Sequence, residues 1–283
     1  MKDLTKDTVK KTNIKKELSF ESSFFFTLPL NKIFIIILKK GRIMEERNNK
    51  PVVKLISKPD NILKTVYTAC RTCYSAQSPV DMYENDVDEE KMLKLIKNVV
   101  ASGHHSTIEH IQVSFAISNV SRACTHQLVR HRLMSFSQKS QRYVQEKGQF
   151  DYIIPPTIDK NPVLKEKFEA FMVDISKKYQ EFIDAGIPAE DARFVLPNAA
   201  SSSLVASLNL RELIHLAQLR LCTRAQYEIR TMVKGMCEAL TAEEPWLKEY
   251  LVPKCEAIGF CDEHKSCGRK ITKTELFEKA SMS

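Results

Sequence analysis

Residues 111–133 read IQVSFAISNVSRACTHQLVRHRL, and two different periods meet in them. Ile111, Val113, Phe115 and Ile117 alternate with smaller or more polar neighbours, the period of a half-buried strand whose successive side chains face opposite sides. From about Ser121 to Leu133 the alternation gives way to a pattern that predicts a helix. A strand feeding directly into a helix argues for mixed α and β structure, and the flanking sequence agrees. Upstream, Val52, Val53, Leu55 and Ile56 form a short apolar run suited to a strand. Met92, Leu93, Ile96, Val99 and Val100 recur at helical spacing behind Asp88, a candidate cap. Downstream, a long helix is predicted from Pro162, which suits a first turn, to a stop at Gly186. Its apolar face would be Leu164, Phe168, Phe171, Met172, Ile175, Tyr179 and Phe182. Further helices are predicted over Leu210–Leu221 and Thr223–Ala242. Asn209 with Glu212 three residues on resembles a capping box with Asn in place of Ser or Thr. There is no internal repeat. The expected fold is a single α+β domain, a mixed β-sheet packed with long helices.

The chain has 283 residues, 43% hydrophobic and 28% charged, with a net charge of +8. That size and balance fit a globular protein with a real core. The positive excess at first suggests a polyanionic partner, but residues 1–43 hold ten Lys and Arg against four Asp and Glu. The rest is only slightly basic, so no nucleic-acid partner is expected. The fifteen-residue run Phe24–Leu38 is interrupted by Pro29, Asn31 and Lys32. It is too short and too polar to span a bilayer, and no membrane association is expected. Residues 1–43 differ in character from the rest of the chain. They are expected to be a disordered extension or the product of a misplaced start, with the folded protein beginning near Met44 or Pro51. The functional domain would occupy residues 44–250 and a cysteine-containing tail residues 251–283. The eight cysteines, at 70, 73, 124, 222, 237, 255, 261 and 267, do not form the pattern of a secreted disulfide scaffold, and a reducing cytoplasm is expected.

The chemistry concentrates at Arg130-His131-Arg132, followed by Ser135, Ser137, Gln138, Ser140, Arg142 and Tyr143. On a helix, neighbours lie about 100° apart, so three successive cations must face different partners. Gln127 would share a face with Arg130 and His131. The hydroxyls and Arg142 would follow in a loop, a donor set suited to a phosphate or a flavin pyrophosphate. A solvated charge run at a helix end is the plainer alternative. The absence of interleaved acidic residues weighs against it.

Arg130-His131-Arg132, seven intervening residues and then Ser140-Gln141-Arg142-Tyr143 resemble the signature of the flavin-dependent thymidylate synthases. The resemblance extends to Gly103-His104-His105-Ser106-Thr107-Ile108-Glu109-His110 and to Ala192-Arg193-Phe194-Val195-Leu196-Pro197. It continues through Asn209-Leu210-Arg211-Glu212, His215 and Arg220 to Gln226 and Glu228, and covers roughly residues 51–250. It implies methylation of dUMP to dTMP, with 5,10-methylenetetrahydrofolate as carbon donor and NADPH-reduced FAD as hydride donor. It further implies that Ser106, Arg130, His131, Arg132, Gln138, Asn209, Leu210, Arg211 and His215 bind FAD. Gln127, Arg130, Gln138, Ser140, Gln141, Arg142, Arg193 and Arg220 would surround dUMP, some of them supplied by a neighbouring subunit of a homotetramer. Arg220 would be the catalytic residue, favouring the N3-deprotonated uracil by charge-assisted hydrogen bonding. His104 would pack near the flavin or folate. Lys139 departs from the apolar residue many members carry, and its side chain is expected to point outward.

The family dispenses with a cysteine nucleophile, and none of the eight cysteines lies in the signature. Cys124 and Cys222 read as small core residues within helices. Ser140 is assigned a hydrogen-bonding role because Arg142 cannot act as the base a nucleophilic hydroxyl needs. Cys70-Arg71-Thr72-Cys73 has redox or zinc spacing but falls on a predicted helix, which favours packing. Cys255, Cys261, His264 and Cys267 form an alternative tetrahedral zinc set in the tail; no metal is assigned to the catalytic site. Two rival functions are a flavoprotein oxidoreductase that transfers no carbon, and a basic nucleic-acid- or membrane-binding protein that draws on the N-terminal lysines.

Overall fold

A computed structural model describes residues 49–281; the expectations for the basic extension and its Phe/Ile run lie outside these residues. Four strands, β1 (Val52–Ser57), β2 (Gln112–Ser121), β3 (Met134–Gln138) and β4 (Ser201–Asn209), form one sheet in the order β1-β2-β4-β3. Every pairing is antiparallel. Opposed residues share a face, so the register sorts the side chains. Val53 and Leu55, then Phe115 and Ile117, Leu204 and Ala206, and Phe136 and Gln138 occupy one face. Ala116, Val205 and Ser137 fall on the other, beside Ser114, Ser207 and Ser135, and the Ser114 and Ser207 hydroxyls are hydrogen-bonded at 2.7 Å.

Among the described residues, helices cover only the first face. The main core joins it to α1 (Ile62–Thr72), α3 (Glu89–Ala101), α8 (Leu210–Arg220) and α9 (Tyr227–Glu243), and it buries Phe115, Ile96, Leu213 and Met236. α9 crosses β1 so closely that a Cβ on Gly235 would lie 3.2 Å from Val53 Cγ2, tighter than ordinary van der Waals contact. A short helix α2 (Pro79–Glu84) leads into α3, whose Asp88 cap accepts from the Lys91 N–H. A second, smaller core of Phe150, Tyr152, Ile154, Met172 and Ala200 lies beneath α6 (Pro162–Asp184), behind the single turn α5 (Pro156–Asp159). α7 (Ala189–Ala192) is likewise one turn. The tail adds α10 (Lys254–Ile258) and α11 (Lys273–Ser281). Among the described residues no helix is long and apolar enough to cross a membrane.

Several expectations are corrected. The helix predicted to reach Leu133 is α4 (Arg122–Leu128) and stops five residues early. It ends in a tight turn, in which the His131 N–H donates to the Leu128 carbonyl, because β3 must begin at Met134 to pair with β4. α9 starts at Tyr227 instead of Thr223: the Gln226 side chain accepts from the N–H groups of Glu228 and Ile229 and sets the start. α6 has the predicted length, yet Leu164, Phe171 and Phe182 of its apolar stripe are exposed while Met172 and Tyr179 are buried. β4 was not foreseen.

Candidate active site

The Arg-rich segment is hung from the sheet by a buried carboxylate. Ser121 is both the last residue of β2 and the cap of α4, its Oγ accepting from the Cys124 N–H at 3.0 Å. Glu228, on the first turn of α9, accepts from the Ser121 N–H and hydroxyl, both at 2.6 Å. The outlet of the strand is thus fixed to a second helix. Gln138 fastens the other end: its amide Nε2 donates to Thr125 Oγ1 on α4 and to Ser202 Oγ on β4, each at 3.0 Å. The sequence predicts Ser135 and Ser137 in a loop with Arg142, one donor set close to Gln138. On a strand they separate, Ser135 and Ser137 to the uncovered face and Gln138 to the helical side.

Arg130, His131 and Arg132 leave the helix before they can obey its 100° spacing. His131 turns inward, its side chain 5% exposed, while Arg130 and Arg132 face solvent. Arg220, at the last turn of α8, donates through Nε to His131 Nε2 at 3.1 Å. On the ring's far side His131 Nδ1 lies 3.4 Å from Glu212 Oε1. Burial first, then the nearby charges of Arg220 and His215, push the imidazole down to about 4, so it is neutral at physiological pH. Burial raises the Glu212 carboxyl, with His215 opposing. The exposed His215 ring meets His131 edge-on at 6.3 Å. Among the described residues none of Arg130, Arg132 and Arg220 has a carboxylate partner. A half-buried cation without a counter-ion, as Arg220 is, suits an anionic ligand.

A second cluster gathers other predicted contacts. Glu190 bridges two of them: its carboxylate pairs with Arg142 Nε, and its backbone carbonyl accepts from Arg193 Nε at 3.0 Å. The Arg122 guanidinium is pushed down by burial and by Arg193 nearby. Ser140 Oγ accepts from the N–H groups of Arg142 and Tyr143 at 3.1 and 3.3 Å, a turn-forming role that leaves its hydroxyl proton to donate. Gln141 is half-buried beside it. Gln127 donates to the Ala123 carbonyl within its own helix. Lys139, expected to point outward, is half-buried and paired with Glu146 at 2.6 Å.

A third group lies at the start of α8. The Asn209 side chain accepts from the Glu212 N–H at 2.8 Å. Leu210 has its side chain wholly inside the core and its N–H on the Ile111 carbonyl, so it presents neither to a ligand. Arg211 pairs with Glu109, next to the 3₁₀ turn His105–Ile108 that carries the exposed Ser106. His104 Nδ1 is 2.8 Å from the Tyr74 hydroxyl, and the two rings stack.

The cysteines play other parts. Cys70 is buried in the core and Cys73 is exposed beyond the end of α1. Cys124 and Cys237 are buried thiols, Cys237 pushed up to about 12, which removes thiolate character at neutral pH. Cys222, expected within a helix, lies beyond the end of α8 and is half-buried. With Cys255, Cys261 and Cys267 it lines a cavity of about 190 Å³, whereas His264 of the predicted zinc set is not among the lining residues. Among the described residues no three His, Cys, Asp or Glu side chains are arranged to hold a metal. Glu190 and Arg122 carry no signal in the sequence, and Glu212 stands there as a cap partner and as the end of the Asn209–Glu212 resemblance, without a role of its own. A buried acid in a helix's first turn was the available signal for Glu212.

Residues 54–246 match the family model described as thymidylate synthase complementing protein. A flavin-dependent thymidylate synthase from Nitratidesulfovibrio vulgaris is 42% identical over 234 residues, covering 78% of this chain and 95% of its own. Another from Pyrococcus abyssi is 37% identical over 222 residues, covering 75% and 90%. A crystal structure of a UMP/dUMP methylase from Streptomyces cacaoi, bound with 5-Br dUMP, aligns with a TM-score of 0.61. It shares 23% identity and covers 68% of this chain and 90% of that one, a likeness of fold.

Proposed function

The chain belongs to the flavin-dependent thymidylate synthase family, and on that premise we propose that it methylates dUMP to dTMP, with 5,10-methylenetetrahydrofolate as carbon donor and NADPH as reductant of FAD. The observation that carries this reading is Arg220. Its Nε is committed to a neutral histidine, it has no carboxylate partner among the described residues, and its terminal amino groups remain for a ligand. A permanently cationic fork favours the N3-deprotonated uracil by charge-assisted hydrogen bonding, which raises electron density at C5 without a covalent adduct. Cys124, a thiol within reach of the Arg220 charge, is buried and held protonated, which supports a route without a cysteine nucleophile.

FAD, when bound, supplies the hydride that completes the methyl group. Arg130, Arg132, Ser106, Asn209, Arg211 and His215 would hold it, with His131 and Gln138 supporting the segment from behind and Leu210 seating the start of α8 in the core. Gln127, Arg130, Gln138, Ser140, Gln141, Arg142, Arg193 and Arg220 are proposed to surround dUMP, with Arg122 beside Arg193 adding positive charge for the 5′-phosphate. The uncovered sheet face, with Val52, Ala116 and Val205 among serines, supports assembly into a homotetramer whose subunits share sites. The free thiols suit a reducing cytoplasm.

Arg220→Ala is expected to lower dTMP formation about a thousandfold, the loss typical of removing a charge-stabilising donor, while bound FAD stays stoichiometric. Near-normal turnover would overturn the assignment. A flavoprotein that transfers no carbon is distinguished by tritium release from C5 of labelled dUMP, which only the methylating enzyme gives.

A further inference from the structure

We infer that Glu212 is a positioning residue for Arg220, acting through His131 by fixing which ring nitrogen carries the proton. The inference deepens the proposed dUMP chemistry and rests on it for the role of Arg220. The guanidinium is a donor without lone pairs to offer, so a His131 Nε2 that receives its Nε–H at 3.1 Å must be unprotonated. A neutral imidazole then carries its single hydrogen on Nδ1, and Nδ1 lies 3.4 Å from Glu212 Oε1, where the carboxylate's charge favours that hydrogen. The opposite tautomer would turn the Nδ1 lone pair toward the carboxylate and an N–H toward Arg220 Nε–H. Both contacts would be repulsive in a nearly dry site, where His131 and Glu212 side chains are 5% and 7% exposed.

The relay bridges a distance that α8 cannot cover alone. Glu212 sits on its first turn and Arg220 on its last, eight residues and roughly 12 Å apart along the axis. His131, arriving from the turn after α4, spans the gap. Glu212 is itself held by its N–H bond to the Asn209 side chain at 2.8 Å, so the relay starts from a fixed point. At the far end, engaging Nε uses one edge of the Arg220 plane and leaves both terminal amino groups aimed together at a ligand. Without the acceptor, the guanidinium can rotate about its stem, and the loss falls on orientation more than on charge.

The test uses the full chain as holoenzyme. Nitrogen-15 NMR of labelled His131 at pH 7 is expected to show a neutral ring protonated on Nδ1; a ring protonated on Nε2, or doubly protonated, overturns the inference whether or not the enzyme makes dTMP. That measurement separates it from the dUMP reading, which fails if the wild type makes no dTMP. In Glu212→Ala, kcat is expected to fall about tenfold to a hundredfold. FAD stoichiometry and the KM for the folate should stay unchanged. Glu212→Gln, whose amide oxygen can still accept from Nδ1–H, is expected to restore most of the turnover. A folded alanine variant with wild-type kcat, or a glutamine variant no better than alanine, overturns the inference. If the alanine variant does not fold, the tautomer in the wild type and the turnover of the glutamine variant decide.

Discussion

The two ends of the Arg-rich segment are alike in composition and opposite in how they are held. At residues 121–131, Ser121 is gripped by the Glu228 carboxylate and His131 Nδ1 lies 3.4 Å from that of Glu212, both acids buried. At residues 139–143, the Arg142–Glu190 pair has side chains 54% and 44% exposed. A buried acid with few alternatives dictates geometry, whereas an exposed ion pair is weak and can exchange partners with an arriving anion. The first end is therefore a fixed frame and the second a compliant one.

Breaking the frame should have the largest effect. Glu228→Ala strands the Ser121 N–H and hydroxyl, and a loss of about 3 kcal/mol is expected from two unsatisfied buried donors. The midpoint of urea unfolding reads it; a loss under about 1 kcal/mol would dissolve the contrast between the two ends.

The pH dependence of stability sharpens the same point. His131 is held down to about 4 in the folded protein against its ordinary value of 6.5, so between those limits the unfolded chain binds a proton that the folded one refuses. Stability from this residue should accordingly fall as pH drops below about 6.5, by about 3 kcal/mol at most near pH 4. The Glu212 carboxyl, raised by burial, returns part of it, because the folded state takes up that proton more readily than the unfolded one. Urea unfolding between pH 7 and 4 should give a shallower slope in His131→Asn than in the wild type, and identical slopes would remove the effect.

The smallest effect is expected at the compliant end. Glu190→Gln should change stability by less than about 1 kcal/mol, and salt near 1 M, with a Debye length of about 3 Å, should erase the difference. The Glu228→Ala loss should persist in the same salt. Erasure of both would mean that the two acids are equally exposed to solvent.

What could be read from the sequence was what local chemistry settles. Asp88, Pro162 and Asn209 announced their helices because a cap or a first-turn proline acts within a few residues. The alternation at 111–117 announced β2. β4 stayed hidden because Leu204, Ala206 and Leu208 alternate within a serine-rich row, Ser201 to Ser207, whose weak contrast resembles a loop. The early end of α4 was illegible for a non-local reason, the pairing of Met134–Gln138 with β4. The site followed the same division. His131 and Arg220 were both named, each on its own motif, but their bond across 89 positions belongs to the fold. Glu212 showed only its capping neighbourhood, and its approach to His131 depends on the same long-range packing.

Two of the helices that carry the site begin with no connector. β2 ends at Ser121 and α4 begins at Arg122; β4 ends at Asn209 and α8 begins at Leu210. The two junctions lie at opposite ends of one antiparallel ladder, since Asn209 pairs with Gln112 and Ser121 with Ser201. A single inserted residue on either strand has no loop to absorb it. It would advance a helix by about 3.4 Å and turn every following strand residue to the wrong face. Length variation in such a protein belongs in the exposed residues 147–149 and beyond α9, while these two junctions should tolerate substitution and reject insertion.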